Sequence, residues 1–217
     1  MIYLKPNQIV KGVFTLKCKD MLETVSLWLK TGRTDAENLI DFPWEVESKE
    51  GVIKALHPKY PIEINILCDD DIGVLRLQVI LPVETIGLDS EKRILIYRKL
   101  LKMNALPLTK TMLIGDDDYI SIASDLSIKS LSKTEFNDAL ALLLATLNSL
   151  AKTLDLSDVL SEAMAEGLIK LVRKHISEGY GKDRLLDYLV KVVGLTRSEA
   201  ETLLREVLGP EDQQIYI

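Results

Sequence analysis

Residues 62–81 alternate with period two on both sides of an acidic turn, and this pattern constrains the fold more than any other feature. In residues 62–68 the even positions hold Ile, Ile, Ile and Cys, and in residues 75–81 the odd positions hold Leu, Leu, Val and Leu. Because successive side chains of a strand point to opposite faces, the pattern predicts a β-hairpin with one buried face that turns at Asp69–Asp71. Pro82 is predicted to end the second strand.

A second hairpin is predicted around another acidic turn, Asp116–Asp118. Its strands would be Thr111–Ile114 and Tyr119–Asp125. We expect Ile120 and Ile122 to face inward, with Ser124 as a further candidate.

The segments before the first hairpin are less regular. Residues 7–18 fit either a strand or an irregular arm. Residues 20–29 carry apolar side chains at helical spacing, and Gly32 is placed to end that helix. Residues 39–47 are predicted to begin a strand, despite Pro43.

Two further helices are predicted in the first 154 residues. One covers residues 89–103, with Asp89 or Ser90 as N-cap and with Leu95, Tyr97 and Leu100 on one side. Asn104 follows it and tolerates a left-handed conformation at a helix end. The other helix begins at a capping box, Ser132–Glu135, and carries a long leucine stripe.

After Asp155 the pattern predicts only helices. Apolar stripes cover residues 159–176 and 185–193, and a capping box at Thr196–Glu199 begins a third helix that Gly209-Pro210 would stop. Residues 211–217 are predicted to form a loose tail. We therefore predict two domains, an α+β domain over residues 1–154 and a helical domain over residues 155–217.

The predicted fold class of residues 1–154 is α+β, because the strands pair in local hairpins and do not alternate regularly with helices. An antiparallel sheet of about five strands would carry helices against one face, in the order α-βββ-α-ββ-α. A small all-α region of three helices would follow it.

Residues 97–154 carry a resemblance to a known family. The segments Leu100–Asn104, Met112–Ile122 and Leu126–Leu131 precede Phe136 and its leucine-rich helix. This order resembles the type III secretion chaperone-like fold, which includes the YbjN-like proteins, over roughly residues 20–154. The resemblance implies a small acidic homodimer without catalysis, in some members one that holds a partially unfolded client protein. The helices after Leu154 are an addition to that pattern.

Composition narrows the function classes. The 27 basic and 33 acidic residues give a net charge of −6, which argues against binding to a phosphate backbone. Cys18 and Cys68 lie in apolar patterns 50 residues apart, so we expect buried free thiols. No apolar run is long enough to span a bilayer, and Met1–Val10 does not resemble a signal peptide. We expect a cytoplasmic protein that does not bind membranes.

The candidate chemical groups favour structural roles. The carboxylates of Asp69–Asp71 and Asp116–Asp118 could bind a hard cation, but their spacing fits hairpin turns rather than a calcium loop. His57 lies in a predicted loop, and His175 lies late in a helix, where a cation favours the helix dipole. Gly179–Lys182 is interpreted as a connector between helices. We predict no catalytic, cofactor-binding or metal-binding residue, and no cofactor.

The sequence leaves three hypotheses for the function, the third being an enzyme with a spatially assembled acidic site around Asp69–Asp71 or Asp116–Asp118. The main prediction is a non-enzymatic, protein-binding module of chaperone-like or scaffold type, which forms a homodimer and binds a further protein partner. The alternative is a DNA-associated regulator, because residues 183–193 and 197–208 have helix-turn-helix spacing. Residues 155–217 hold 8 basic and 12 acidic groups, and this negative net charge disfavours contact with phosphate groups.

Overall fold

The computed structural model describes the backbone of residues 18–49 and 51–212 and the side chains as far as Leu208. Its strands are β1 (Glu45–Lys49), β2 (Val52–His57), β3 (Tyr60–Asp69), β4 (Val74–Glu84), β5 (Lys110–Ile114) and β6 (Tyr119–Ser127). Its helices are α1 (Cys18–Lys30), α2 (Ser90–Met103), α3 (Lys133–Leu154), α4 (Ser157–Ser177), α5 (Lys182–Tyr188) and α6 (Arg197–Asp212). A 3₁₀ turn covers Leu39–Asp41, and a π-helical turn covers Leu189–Val193.

The described strands form one antiparallel sheet in the order β1-β2-β3-β4-β6-β5. The predicted α+β class and antiparallel sheet are confirmed. Within the described residues the sheet has six strands, one more than the family order suggested. The additional strand is β2, whose inward positions hold Ile53, Ala55 and His57. Because only one of these is a large aliphatic residue, β2 gives a weak strand signal in the sequence.

One face of the sheet carries the main core. The register aligns Ala55 with Ile64, and Val79 with Ile122, and these four side chains are almost completely buried. Helices α1 and α3 contribute to the same cluster of buried residues. The capping box of α3 is confirmed, since Ser132 and Glu135 exchange hydrogen bonds between side chain and backbone.

Helix α4 crosses the sheet at β3 and β4, and it comes unusually close to the backbone. A Cβ atom on Gly167 would lie 1.6 Å from the carbonyl oxygen of Pro61, so only glycine allows this approach. Leu160 of α4 belongs to the main core, whereas Val172 belongs to a second cluster that α5 and α6 complete. The division into domains 1–154 and 155–217 stays a prediction.

Several predicted boundaries are wrong. Leu39–Asp41 forms a 3₁₀ turn, so the first strand begins only at Glu45. Pro82 does not end β4. The pairing register between β4 and β6 shifts between Ile80 and Glu84, so no inter-strand hydrogen bond requires an N–H group at Pro82. Gly209-Pro210 does not stop α6, which continues to Asp212.

Other expectations fall outside what the structure describes. Residues 7–17 of the possible arm or strand, Met1–Val10 and residues 213–217 of the predicted tail are not among the described residues. Among the helices of residues 18–49 and 51–212, none combines the length and the apolar character that a membrane span requires.

The prediction that both cysteines are free thiols is wrong. Cys18 and Cys68 form a disulfide with a Cα–Cα distance of 5.4 Å. The two cysteines are 50 residues apart in the sequence, so their contact is not visible there. It forms because the fold brings the end of β3 beside the first residue of α1. Asp70 reinforces the same corner, where its Oδ1 accepts a hydrogen bond from the Cys18 N–H at 2.8 Å.

Candidate interaction surface

The outward side of α2 is rich in exposed apolar side chains. Leu100 and Met103 are buried against the body of the protein, whereas Ile94, Leu95 and Leu101 are 66%, 53% and 72% exposed. The prediction that Leu95 shares a side with Tyr97 and Leu100 is therefore wrong. Two residues along a helix correspond to a rotation of about 200°, which places Leu95 and Tyr97 on different sides.

The loop after α2 carries two further exposed apolar side chains. Leu106 and Leu108 are 41% and 64% exposed. Leu108 adopts a φ of 60°, a left-handed conformation that is rare for a bulky residue. Ser124 holds this loop in place, because its hydroxyl donates a hydrogen bond to the Leu108 carbonyl at 2.8 Å. We call the exposed apolar residues of α2 and this loop, together with two cations of α2, the α2 surface: Ile94, Leu95, Leu101, Leu106, Leu108, Arg98 and Lys102.

The two cations of the α2 surface have no partner among the described residues. The side chains of Arg98 and Lys102 form no hydrogen bond and no ion pair there. The other lysines of α2 are occupied. Lys92 lies 3.2 Å from a carboxylate oxygen of the N-cap residue Asp89, and Lys99 donates a hydrogen bond to the Thr153 carbonyl at 2.8 Å. Among the basic side chains of α2, Arg98 and Lys102 are thus the two without a polar contact in the described part of the chain.

Polar contacts fix α2 on the rest of the protein. Tyr97 donates a hydrogen bond to Asp118 Oδ2 at 2.8 Å, and its oxygen lies 3.1 Å from Thr85 Oγ1. At the other end, Asn104 Oδ1 accepts the N–H of Thr111 at 2.6 Å. Asn104 has a φ of −67°, so the expectation of a left-handed conformation is wrong. These contacts hold the α2 surface in a defined orientation.

The acidic triplets lie at hairpin ends, where their side chains and backbone make turn contacts. Asp69 Oδ1 accepts the N–H groups of Asp71 and Ile72, at 2.9 and 3.3 Å. Asp118 has a φ of 52°, and its carbonyl accepts a hydrogen bond from Thr85. Among the residues that the structure describes, no three His, Cys, Asp or Glu side chains come together as a metal site would require.

His57 is a core residue at the end of β2, and its predicted place in a loop is wrong. Its ring is 1% exposed and packs edge-on against Phe42 and Trp44, with ring centroids 4.9 and 4.8 Å away. Nδ1 accepts the Lys59 N–H at 3.1 Å. Burial, with a smaller effect of the nearby Lys59 charge, lowers the pKa of His57 to about 4. The imidazole is therefore neutral at pH 7.

His175 joins the last turn of α4 to its surroundings. Its ring stacks on Tyr180 at 4.5 Å and meets the edge of Tyr188 at 4.3 Å. Glu178 lies 3.1 Å from Nδ1, and Glu45 of β1 lies 3.5 Å from Nε2. Burial first, and then the nearby negative charge of Glu45, raises the pKa of Tyr188. This cluster links α4, the Gly179–Lys182 connector, α5 and the edge of the sheet.

A shallow cavity of about 520 Å³ lies between α4 and strands β1–β3. Five of its seven charged lining residues form ion pairs with one another. Glu63 contacts Lys54 at 2.9 Å and Lys170 at 3.4 Å, and Lys174 pairs with Glu45. Burial raises the pKa of Glu63, but the hydrogen bond from Lys54 and the charge of Lys170 outweigh that effect and leave the pKa lowered. These ion pairs fasten α4 to the sheet.

Helices α5 and α6 flank a turn at Gly194, which has a φ of 93°. The predicted capping box is present, since Thr196 Oγ1 accepts the N–H of Glu199 and Glu199 accepts the N–H of Thr196. Arg197, at the start of α6, pairs with Glu201 at 3.0 Å. The helix-turn-helix spacing is thus real, but the first arginine of α6 already has an acidic partner.

These features describe an α+β protein with an antiparallel sheet, a helical C-terminal region and an exposed apolar surface on α2. Residues 24–154 match the model of a family described as a domain of unknown function, DUF8183. Because that match covers more than half of the chain, the protein belongs to this family. Residues 155–216 match a second model, HTH_78, also described as a domain of unknown function.

Comparison with other proteins adds little beyond this. No curated protein matches the chain. Among solved structures, the chain resembles YbjN from E. coli, which is described provisionally as a transcription regulator. The two are 14% identical, the match covers 62% of this chain and 89% of YbjN, and the TM-score is 0.43. We base no argument on a likeness of this size, and the wider resemblance to the type III secretion chaperone-like fold stays a prediction.

Proposed function

We propose that this protein is a non-enzymatic, protein-binding module of chaperone-like or scaffold type, and that the α2 surface is its binding site. One observation carries the proposal. Ten large hydrophobic residues are exposed in the part of the chain whose side chains are described, and five of them lie within residues 94–108. Scattered exposed apolar residues are normal, but a concentration on one helix and its loop is typical of interaction sites.

The rigid support of this surface favours the proposal. Tyr97, Asn104 and Ser124 hold α2 and its loop by side-chain hydrogen bonds. A fixed surface loses little conformational entropy when a partner binds, so its apolar area contributes more fully to affinity.

The experiment compares partners captured by matched variants. Tagged wild-type protein, an Ile94→Ser/Leu101→Ser variant and an Ile72→Ser variant would each be incubated with native extract and analysed by quantitative mass spectrometry. Ile72 is 66% exposed but lies in the β3–β4 turn, so it serves as the control. We expect the α2 variant to lose partners that the control keeps. Identical sets of partners for all three proteins would contradict the proposed binding site.

Homodimer formation remains part of the proposal and needs its own test. The resemblance to the type III secretion chaperone-like fold implies it, whereas α4 already packs on β3 and β4 of its own chain. Light scattering at high concentration would distinguish a monomer of 24.4 kDa from a dimer of twice that mass. A strict monomer would remove the dimer from the proposal and leave the α2 surface intact.

A DNA-associated regulator is the second candidate. The α5–Gly194–α6 arrangement and the match of residues 155–216 to HTH_78 support it, whereas the acidic balance of that region opposes it. A gel shift at low salt with wild type, Arg197→Ala and Arg205→Ala tests it. Binding that both substitutions weaken would support the candidate, and the absence of any shift would end it.

A further inference from the structure

We propose that the α2 surface binds an acidic amphipathic helix of a partner protein. This inference depends on the proposed function and adds the chemistry of the partner. It comes from the arrangement of charge among the exposed apolar residues, which the binding proposal itself does not use.

The outward arc of α2 has apolar residues at its edges and charged residues between them. At about 100° per residue, Ile94 and Leu101 lie within about 20° of each other, and Leu95 lies about 100° away from Ile94. Arg98 and Lys102 fall between these two edges together with Glu91, so the charged part of the arc has a net charge of +1. An apolar side chain that reaches Ile94, Leu101 or Leu95 would therefore bring its polar neighbours next to the two cations.

The charge of this arc is opposite to that of the whole protein. The chain has a net charge of −6. Arg98 and Lys102 nevertheless have no ion-pair partner among the described residues, although the neighbouring Lys92 and Lys99 do have contacts. Carboxylates of a partner would form ion pairs with these two cations. Complementary charges across an interface favour the correct encounter of the two proteins and fix their register.

A second copy of this chain fits the same surface poorly. Two identical helices related by a two-fold axis bring the residue nearest the axis opposite its own copy. Arg98 lies close to the middle of α2 (Ser90–Met103). An axis that passes near the middle of α2 would therefore oppose like charges, which costs free energy at an interface.

The pattern also fits a protein helix better than a lipid surface. Recognition of anionic lipid typically uses clusters of about 4–8 basic residues, whereas the α2 surface has two unpaired cations. The exposed apolar positions 94, 101, 106 and 108 lie along one helix and the loop that follows it. A partner helix with apolar anchors at i, i+3, i+4 and i+7 could contact such a surface along its length.

The test uses full-length protein and two synthetic peptides of about 18 residues, each labelled with fluorescein. Both peptides carry leucines at i, i+3, i+4 and i+7. At their charged positions, one peptide has only Glu and the other has only Lys. Fluorescence anisotropy at about 50 mM salt would measure binding, because low salt preserves exposed charge interactions. We expect the acidic peptide to bind at least about tenfold more tightly than its twin, a difference of about 1.4 kcal/mol.

Variants separate the two proposals. Arg98→Glu/Lys102→Glu should remove or reverse the preference for the acidic peptide, and Ile94→Ser/Leu101→Ser should weaken binding of both peptides by about tenfold or more. Lys19→Glu changes an exposed cation of α1 and should have no effect. Circular dichroism would verify that every variant is folded.

Several outcomes would overturn the inference. Equal binding of both peptides, or a preference that survives Arg98→Glu/Lys102→Glu, would disprove the acidic partner and leave protein binding through the apolar residues standing. Binding that is unaffected by Ile94→Ser/Leu101→Ser would contradict the proposed function itself. Tight binding to vesicles of anionic lipid without peptide binding, or a dimer that Ile94→Ser/Leu101→Ser dissociates, would assign the surface to a membrane or to a second copy.

Discussion

Asn104, the first residue after α2, binds the backbone of Thr111 on β5 with its side chain. Its Oδ1 accepts the Thr111 N–H at 2.6 Å, and its Nδ2 donates to the Thr111 carbonyl at 3.3 Å. Strand β5 is an edge of the sheet, where backbone groups of alternate residues point away from the neighbouring strand. The Asn104 amide occupies these groups as a neighbouring strand would, and it fixes α2 to the sheet.

We expect Asn104→Ala to lower the free energy of unfolding by about 1–3 kcal/mol, because it leaves the half-buried N–H of Thr111 without an acceptor. Urea denaturation would measure this loss. Hydrogen exchange at the Thr111 amide should also become faster. Lys102→Ala, an exposed position two residues earlier in the same helix, is the control and should change stability little. An equally small change for Asn104→Ala would show that the Oδ1 contact has no particular role.

We expect Gly167→Ala to destabilise the protein by about 1–3 kcal/mol or more, because the new Cβ would overlap the Pro61 carbonyl and push α4 off the sheet. Thermal unfolding would measure the change. Gly87→Ala is the control, since a Cβ there has no heavy atom within 4 Å and the backbone is not left-handed. If Gly167→Ala were as stable as Gly87→Ala, the close approach of α4 to Pro61 would be incorrect.

We expect reduction of the Cys18–Cys68 disulfide to lower stability by up to about 4 kcal/mol, because the cross-link closes a loop of about 50 residues in the unfolded chain. Denaturation with and without reductant would measure the effect, and a Cys18→Ser/Cys68→Ser variant should not respond to reductant. Thiol titration in denaturant should find no free thiol before reduction and two afterwards. Two free thiols without reductant would restore the original prediction.

We expect His57 to make stability depend on pH below neutrality. Burial holds its pKa at about 4 in the folded protein, below the ordinary value of about 6.5 expected in the unfolded chain. As the pH falls, the unfolded state therefore takes up the proton first. The contribution of neutral His57 is complete above about pH 6.5, and about 3 kcal/mol of it is lost between pH 6.5 and 4.

The comparison for this prediction is His57→Phe, which packs an uncharged ring in the same place. Loss of the acceptor for the Lys59 N–H should shift its stability by a similar amount at every pH. The difference in unfolding free energy between the two proteins should then change between pH 7 and 4. A constant difference over that range would mean that His57 is not buried in its neutral form.

The sequence predicts most of the sheet, because its signals are local. Alternation in residues 62–68 and 75–81 identified β3 and β4, and the capping boxes at Ser132 and Thr196 located the starts of α3 and α6. Contacts between distant segments were not predictable in this way. The Cys18–Cys68 disulfide and the approach of Gly167 to Pro61 depend on how the hairpins and α4 pack in space.

The α2 surface left one signal in the sequence that was not interpreted. Seven of the 14 residues of α2 are apolar, and they surround the whole helix instead of forming one stripe. A helix with one packed face usually confines its apolar residues to one stripe. Apolar residues outside that stripe therefore indicate a second contact, with another part of the protein or with an external partner. The assignment of Leu95 to the inner side followed from treating the pattern as a single stripe.

The sharing of α4 between two clusters has a consequence for any shortened form of the protein. A fragment that stops at Leu154 would lack Leu160 and the Gly167 contact at the end of the sheet, and a fragment that starts after Ser177 would lack Val172, which α5 and α6 pack around. Neither fragment would have a complete hydrophobic core. A cut anywhere in this helix would therefore expose apolar surface on both sides of the break.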